Sequence, residues 1–465
     1  MELSTKICYQ ALVSHDHRFD GVFFTCVTST GIYCRTICPA IVPKQENCRF
    51  TATAAEAEKA GYRPCLRCRP EYAPADTKRG EQSLAHKLAL YIDETLLIDE
   101  TLSSVAAHFK VSERHLRRKF TELFGVEPKQ YLTTRRLLFA KQLLQDTSLP
   151  IANIAYAAGF NTPARLTINM QKAYGFTPQR FRKNRPSESL SKPIILRTDY
   201  RPPFSWEALL GFITARATPL EWVNENTYYR LADGYEVVIQ NKSNKNHLTI
   251  QIPLELSHQA HTIISKTRAL FDLDANPSVI EGLLSDDPYL CHLIDRYPGM
   301  RVPGSWDSFE MVLRAIIGQQ VSVAGATTIM RRLVEQVGIT PTAIALSSPA
   351  AIATVGMPLK RASTIHGIGQ MVHEGKLNLS ESDPKKFYAS LIAIAGIGPW
   401  TAEYLCMRVL HWPDALPAGD LGLQKAIEPG MRQTEQQVIA RAEAWRPWRS
   451  YATVLLWKSL ENQGG

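Results

Sequence analysis

The chain has 465 residues, 45% of them hydrophobic and 21% charged, with a formal net charge of +9. That length suits about three domains, the composition is that of folded globular protein, and no apolar run approaches the ~18 residues a membrane span needs. The first residues lack a signal-peptide core, so the expectation is a cytoplasmic, nucleoid-associated protein with no membrane partner and no disulfide scaffold.

The charge is uneven: residues 1–80 carry +3, residues 81–186 carry +7 and residues 187–465 carry −1. A positive field confined to the first two segments suits a polyanion such as DNA, although charge alone equally describes a solvated surface.

In residues 1–80 the cysteines fall as Cys34-x3-Cys38, in G-I-Y-C-R-T-I-C-P, and Cys65-x2-Cys68, in Y-R-P-C-L-R-C-R-P-E. Two close pairs separated by a long loop are the spacing of a four-thiolate zinc site; an iron site or redox dithiols are the alternative. Cys8, Cys26 and Cys48 lack partner spacing and read as small buried hydrophobes. The motifs at 30–38 and 61–70 resemble the N-terminal domain of the Ada methylation-response proteins. The resemblance implies one Zn2+ on Cys34, Cys38, Cys65 and Cys68, with Cys34 taking a methyl group from a DNA methylphosphotriester. Zinc suits that chemistry because it keeps sulfur a thiolate at neutral pH. Methylation removes one negative charge and so raises affinity for phosphates. Arg35, Arg63, Arg67 and Arg69 flank the ligands and are candidates for holding neighbouring phosphates. A purely structural zinc module is the competing reading.

In residues 81–186, L-S-S-V-A-A-H-F at 102–109 has helical apolar spacing, and Ser112 caps a second helix carrying Arg114, Arg117, Arg118 and Lys119. The pattern returns at 151–160 and 161–174. G-V-E-P and G-F-T-P close the two repeats alike, and a helix over 128–145 joins them. Two helix-turn-helix units with a basic second helix suit adjacent major-groove contacts; a helical bundle with a basic face is the alternative. The segment resembles the AraC-type DNA-binding domain, which implies promoter DNA and RNA polymerase as partners. Its second reading helix departs from the family pattern at P-A-R-L (163–166), which leaves the bases read there open.

Residues 187–196 are polar and Ser/Pro-rich, a linker. Alternating stretches at 235–240 and 247–252 read as strands, residues 254–271 as a helix, and the chain from 286 onward as nearly all helical. G-I-G-P-W-T-A then places Gly396 and Gly398 in a hairpin between helices, with Pro399 at a first helical position. Backbone N–H groups at such a helix start seat a phosphate oxygen. Asp420 follows in P-A-G-D-L.

This combination resembles the helix-hairpin-helix glycosylase superfamily. The whole segment resembles the AlkA-type 3-methyladenine DNA glycosylases, through Y-R-P-P-F (200–204), L-G-F-I-T-A-R (210–216), R-A-I-I-G-Q-Q-V-S-V (314–323), G-M-P-L-K-R (356–361) and W-R-P-W-R-S-Y-A (445–452). The resemblance implies that Asp420 faces the sugar C1′ of a flipped nucleotide. Trp400, Tyr404, Trp457 and Phe212 line the base pocket, and Gln320 stands at the wedge position. Electron-rich rings attract bases made cationic at N3 or N7. Bifunctional members carry a hairpin lysine where this chain has Trp400, so a monofunctional enzyme leaving an abasic site is expected. No cysteine cluster follows Asp420, so no iron–sulfur cluster is expected; nor does the chain carry the P-C-H-R motif of O6-alkylguanine repair.

The sequence therefore predicts a multidomain, mainly α protein. It comprises a small zinc α+β domain (1–80), an AraC-type double helix-turn-helix (81–186), a linker (187–196), a small α+β sheet domain (197–285) and an all-α helix-hairpin-helix glycosylase domain (286–465). It would act on damaged and promoter double-stranded DNA. The alternative is a transcription regulator whose glycosylase-like half only binds DNA.

Overall fold

The computed structural model describes residues 4–75, 83–97, 100–182, 192–381, 383–428 and 430–461. The chain divides into two compact units, Met1–Pro202 with Ala232–Ser265 and Pro203–Leu231 with Lys266–Gly465. The stretch 197–285 is thus shared between them rather than forming one body.

The first unit opens with a cysteine-rich module. Its four-stranded sheet runs in the order Cys48–Thr51, Phe24–Val27, Ile32–Cys34, Arg63–Pro64, with only the last pairing parallel. Alternation places Phe24, Cys26 and Tyr33 on the buried face, where Phe24 meets Tyr33 edge-on at 5.7 Å. The sheet's helix Ala54–Lys59 begins at Thr53, whose hydroxyl accepts from Glu56 N at 3.1 Å, while Glu56 accepts from Ala52 N.

Next come the helices Leu84–Thr95, Leu102–His108, Glu113–Phe124, Pro128–Asp146, Ile151–Ala157 and Pro163–Tyr174. Ser112 and Thr162 cap the two expected reading helices, and Gly125 and Gly175, both left-handed, end them. Helix Pro128–Asp146 is buried nearly all round, as a central helix must be. Even its Lys141 is enclosed, paired with Glu71 at 2.6 Å. An unpartnered charge there would cost several kcal/mol, so the pair ties this helix to the turn Pro70–Tyr72.

Residues 235–240 and 247–252 are strands as expected, within Tyr235–Lys242 and His247–Ile252; both join Ile194–Asp199 antiparallel to His247–Ile252 in one run of three. That first strand starts inside the expected linker, so residues 194–196 are sheet rather than connector; residues 187–191 of the linker lie outside the described residues. The helix expected over 254–271 is two pieces, a 3-10 turn Leu254–Gln259 and an α-helix Ala260–Leu270.

Among its described residues the second unit is helical apart from the hairpin Glu221–Asn224 with Thr227–Ala232, whose last residue falls in the first unit. Its core gathers Leu313, Ile316, Met330, Phe387, Leu405, Met407, Leu423 and Leu456, all fully buried; each such side chain is worth roughly 1.5–3 kcal/mol. Helix Pro399–Arg408 packs between Ser308–Ile317 and Pro384–Ile392, and Leu421–Ala426 lies on Arg449–Glu461. Asp414, taking Arg449 Nε at 2.7 Å, braces the loop that leads to Asp420.

Candidate functional sites: a cysteine quartet and a carboxylate in a cavity wall

Cys34 ends the strand Ile32–Cys34 and Cys65 follows Arg63–Pro64, whose parallel pairing brings the two strand ends together. Cys38 and Cys68 sit in the following turns. The four sulfurs lie within 4.8 Å of one another, and those of Cys38 and Cys65 are 4.0 Å apart. Zn–S bonds of about 2.3 Å put tetrahedral sulfurs about 3.8 Å apart, so the set fits that ion. Arg35 N donates to Cys68 Sγ and Arg67 N to Cys65 Sγ, each at 3.4 Å, which favours the thiolate. Cys38 and then Cys65 push the Cys34 thiol up, while hydrogen bonds from Cys34 and Cys38 hold Cys65 low. Four crowded thiols resist joint ionisation, and a divalent cation relieves that.

The remaining cysteines of this module are elsewhere. Cys8, Cys26 and Cys48 are buried, with burial raising all three and carrying Cys26 to about 11.

Of the arginines expected to hold phosphates, Arg67 is exposed. Arg63 leans over Phe176, and Arg69 pairs with Glu71 and Asp146 at 2.8 and 2.7 Å. Arg35 must be corrected: only 2% of its side chain is exposed, and it pairs with Asp20 and, at 2.8 Å, with Asp199. A guanidinium so enclosed braces the module instead of meeting a ligand. On helix Glu113–Phe124, Arg114, Arg117 and Arg118 are all exposed, with Glu113 holding Arg117 at 2.5 Å and Glu122 holding Arg118 at 3.7 Å.

In the second unit the hairpin lies between Pro384–Ile392 and Pro399–Arg408. Gly396 has φ +93°, and a Cβ there would meet Thr364 Oγ1 at 2.4 Å, so both backbone and space require glycine. Gly398 is extended, caps the next helix and faces open space. The first turn's N–H groups have no acceptor within the helix. Sequence reasoning missed the lock behind this turn. Gln319 Nε2 donates to Gly396 O and to Thr401 Oγ1, both at 3.0 Å, and Arg361 donates to Gln319 O at 2.6 Å. The motifs at 314–323 and 356–361 contain both residues, but nothing in their spacing announces the contact. Gln320 beside them is exposed with φ +56°.

Asp420 caps helix Leu421–Ala426. Its Oδ1 accepts from Leu423 N at 2.8 Å and Trp457 Nε1 at 2.9 Å, and its Oδ2 from Trp400 Nε1 at 3.0 Å. No ion pair to it occurs among the described residues. The carboxylate lines a cavity of about 390 Å3 together with Trp400, Tyr404, Trp457 and Phe212, a size suited to a small organic ligand.

Trp400 stacks on Tyr404 at 5.5 Å and 13°, and Phe212 on Trp457 at 6.4 Å and 19°. The expected pocket residues thus come together from positions 212, 400–404 and 457. Phe212 is already engaged, with Arg216 Cζ 3.6 Å and Arg408 Cζ 4.9 Å from its ring centre. Arg408 also lies 5.4 Å from the Tyr404 ring centre and donates to its hydroxyl at 2.5 Å, which leaves the indoles of Trp400 and Trp457 as the pocket rings without a cation over them among the described residues.

Four family models match in series: the metal binding domain of Ada (residues 7–71), a helix-turn-helix domain (105–184), the AlkA N-terminal domain (195–307) and the HhH-GPD superfamily base excision DNA repair protein (313–450). Fold and sites together define a regulator module fused to a base-excision glycosylase fold. A probable bifunctional transcriptional activator/DNA repair enzyme AlkA of Mycobacterium tuberculosis is 34% identical over 98% of this chain and 96% of that protein. The chain belongs to that family of fused Ada- and AlkA-type proteins. DNA-3-methyladenine glycosylase 2 of Escherichia coli is 34% identical over 56% of the chain and 95% of its own length. The solved 3-methyladenine DNA-glycosylase of Archaeoglobus fulgidus, 22% identical, shares the fold over 58% of this chain and 99% of its own, with TM-score 0.52. No helix among the described residues is long and apolar enough to cross a membrane.

Proposed function

We propose that the protein responds to DNA alkylation in two ways: it accepts a methyl group from DNA methylphosphotriesters on Cys34, activating transcription, and it excises N3- and N7-alkylated purines with Asp420. In this reading the metal module occupies residues 1–80, the reader 81–186 and the glycosylase parts 197–465. It works on double-stranded DNA in the cytoplasm, at the nucleoid, with RNA polymerase as the partner in activation.

The excision half rests on one observation, the Asp420 carboxylate held by three N–H donors in a wall of aromatic rings. A base alkylated at N3 or N7 carries positive charge, so cleavage of its C1′–N bond returns the electron pair and neutralises it. The sugar is left cationic, and a fixed carboxylate stabilises that charge as it develops. Oxygens already accepting three hydrogen bonds favour this electrostatic role over taking a proton from water. Water adds at C1′ and its proton passes to solvent, leaving an abasic site in an uncut strand. The first-turn N–H groups after Gly398 grip a neighbouring phosphate, and Gln320 fills the space the base leaves. Product analysis on methylated duplex tests this: free alkylpurine and uncut abasic strand are expected, both lost in Asp420→Asn.

On the other half, Cys34, Cys38, Cys65 and Cys68 hold one Zn2+, which supplies a nucleophilic thiolate at neutral pH. Cys34 sulfur attacks the methyl carbon, the C–O bond breaks, and the phosphate leaves as an ordinary diester. The added methyl is read by mass spectrometry of the Cys34 peptide; an unmodified peptide after exposure to triester DNA overturns this half.

A further inference from the structure

Cys34 opens onto a second cavity, of about 470 Å3, within the first unit. Its wall is aliphatic, including Ile32, Ile41, Val42 and Leu66, with Arg63 and Arg67 as its charged members. Ile41, in the coil segment after Cys38, is 95% exposed and Leu66 is 49% exposed, so both leave apolar surface open in the wall that Cys34 shares. Thr25 also lines this cavity and is the cross-strand partner of Cys34. Its hydroxyl is buried without a hydrogen-bond partner among the described residues.

We propose that this aliphatic wall is a selective seat for an uncharged phosphate: Ile41 and Leu66 pack on the alkylated phosphotriester and its deoxyribose, and so bring only neutral phosphates to Cys34. The proposal rests on the methyl-transfer reading above and adds what distinguishes its substrate. An ordinary DNA phosphate is an anion, and pressing it against hydrocarbon strips water that nothing replaces. Alkylation removes that charge, so the same wall accepts the triester. The two cations serve the neighbouring diesters, which remain charged. The Thr25 hydroxyl, beside the attacking sulfur, offers its unused hydrogen bond to the phosphoryl oxygen. In the step itself, the S–CH3 bond forms as the CH3–O bond breaks, and the electron pair stays on the phosphate oxygen. The group becomes a diester anion, which the aliphatic wall favours less than the triester it replaces.

The test uses the full zinc-loaded chain and two methyl donors: duplex DNA with a single methylphosphotriester, and methyl iodide, which needs no docking. Ile41→Ser with Leu66→Ser should slow transfer from triester DNA about tenfold or more, a loss of ~1.4 kcal/mol. Transfer from methyl iodide and the zinc content should be kept, and Ile41→Val should restore most of the triester rate. Equal triester rates in wild type and the double serine variant overturn the proposal. So does loss of both reactions together, which marks a damaged quartet instead of a lost seat. Wild type methylated by methyl iodide yet inert to triester DNA sinks the methyl-transfer reading itself, and this proposal with it.

Discussion

Trp457 and Asp420 are 37 positions apart, yet the indole Nε1–H of the first lies 2.9 Å from Oδ1 of the second. Trp457 is therefore more than a wall of the cavity: it holds the carboxylate at one angle, with Trp400 opposite on Oδ2. Trp457→Phe keeps a ring and removes the donor. Hydrogen bonds to charged groups are worth ~1.5–3 kcal/mol, so single-turnover excision of an alkylpurine should fall about ten- to a hundredfold. Duplex binding should change little.

Gly396→Ala places a side chain at φ +93° and against Thr364 Oγ1. The backbone cost alone is roughly 1–3 kcal/mol. The variant should melt earlier in calorimetry and bind abasic duplex less tightly. Adding Thr364→Ala should recover only the steric part, because the left-handed φ stays.

Glu58 supplies a pH signature in the first unit. It is buried among the hydroxyls of Tyr33, Tyr174 and Thr134, with the Lys141 charge near, and burial lifts its carboxyl to about 7. The folded state thus binds a proton that the unfolded chain, near 4.5, releases sooner. Its stabilising contribution is complete below about 4.5 and is lost as pH rises through 7, with a slope of at most about 1.4 kcal/mol per pH unit. Denaturant unfolding between those pH values should show this slope in wild type. Glu58→Gln should flatten it.

Arg117 and Arg35 should part company under salt. Arg117 is half exposed on the first reading helix, and its removal should lower the slope of log affinity against log salt by about 1. Arg35→Ala should leave that slope alone and instead destabilise the fold, since buried Asp20 then loses its cation and Asp199 keeps only Arg197. Breaking a buried pair typically costs about 3–5 kcal/mol.

The contrast between these two arginines marks what the sequence could reveal. Cysteine pairs, helix repeats and the G-I-G-P-W turn are local patterns, and each is legible because neighbours in the chain create it. Arg35 sits beside a ligand in sequence and reads as a phosphate hand, but its carboxylates come from positions 20 and 199. Likewise Thr25 meets Cys34 only through strand register, and Gln319 meets Gly396 across 77 positions. Phe212 lines the cavity as expected, but the Arg408 guanidinium over its ring comes from 196 positions further along the chain. The strand Ile194–Asp199 was hidden because Ser and Pro just before it suggested a connector. Long-range pairing leaves no period to read.

The account depends most on Asp420 supporting the departure of an alkylated base. Single-turnover release of 3-methyladenine should be measured for wild type and Asp420→Asn at saturating protein, with duplex affinity measured alongside. The side-chain amide keeps the size of the carboxylate and removes its charge, so release should drop at least about a hundredfold, as it does when an electrostatic stabiliser is lost, while the DNA stays bound. Release by Asp420→Asn at the wild-type rate, with affinity unchanged, would contradict it.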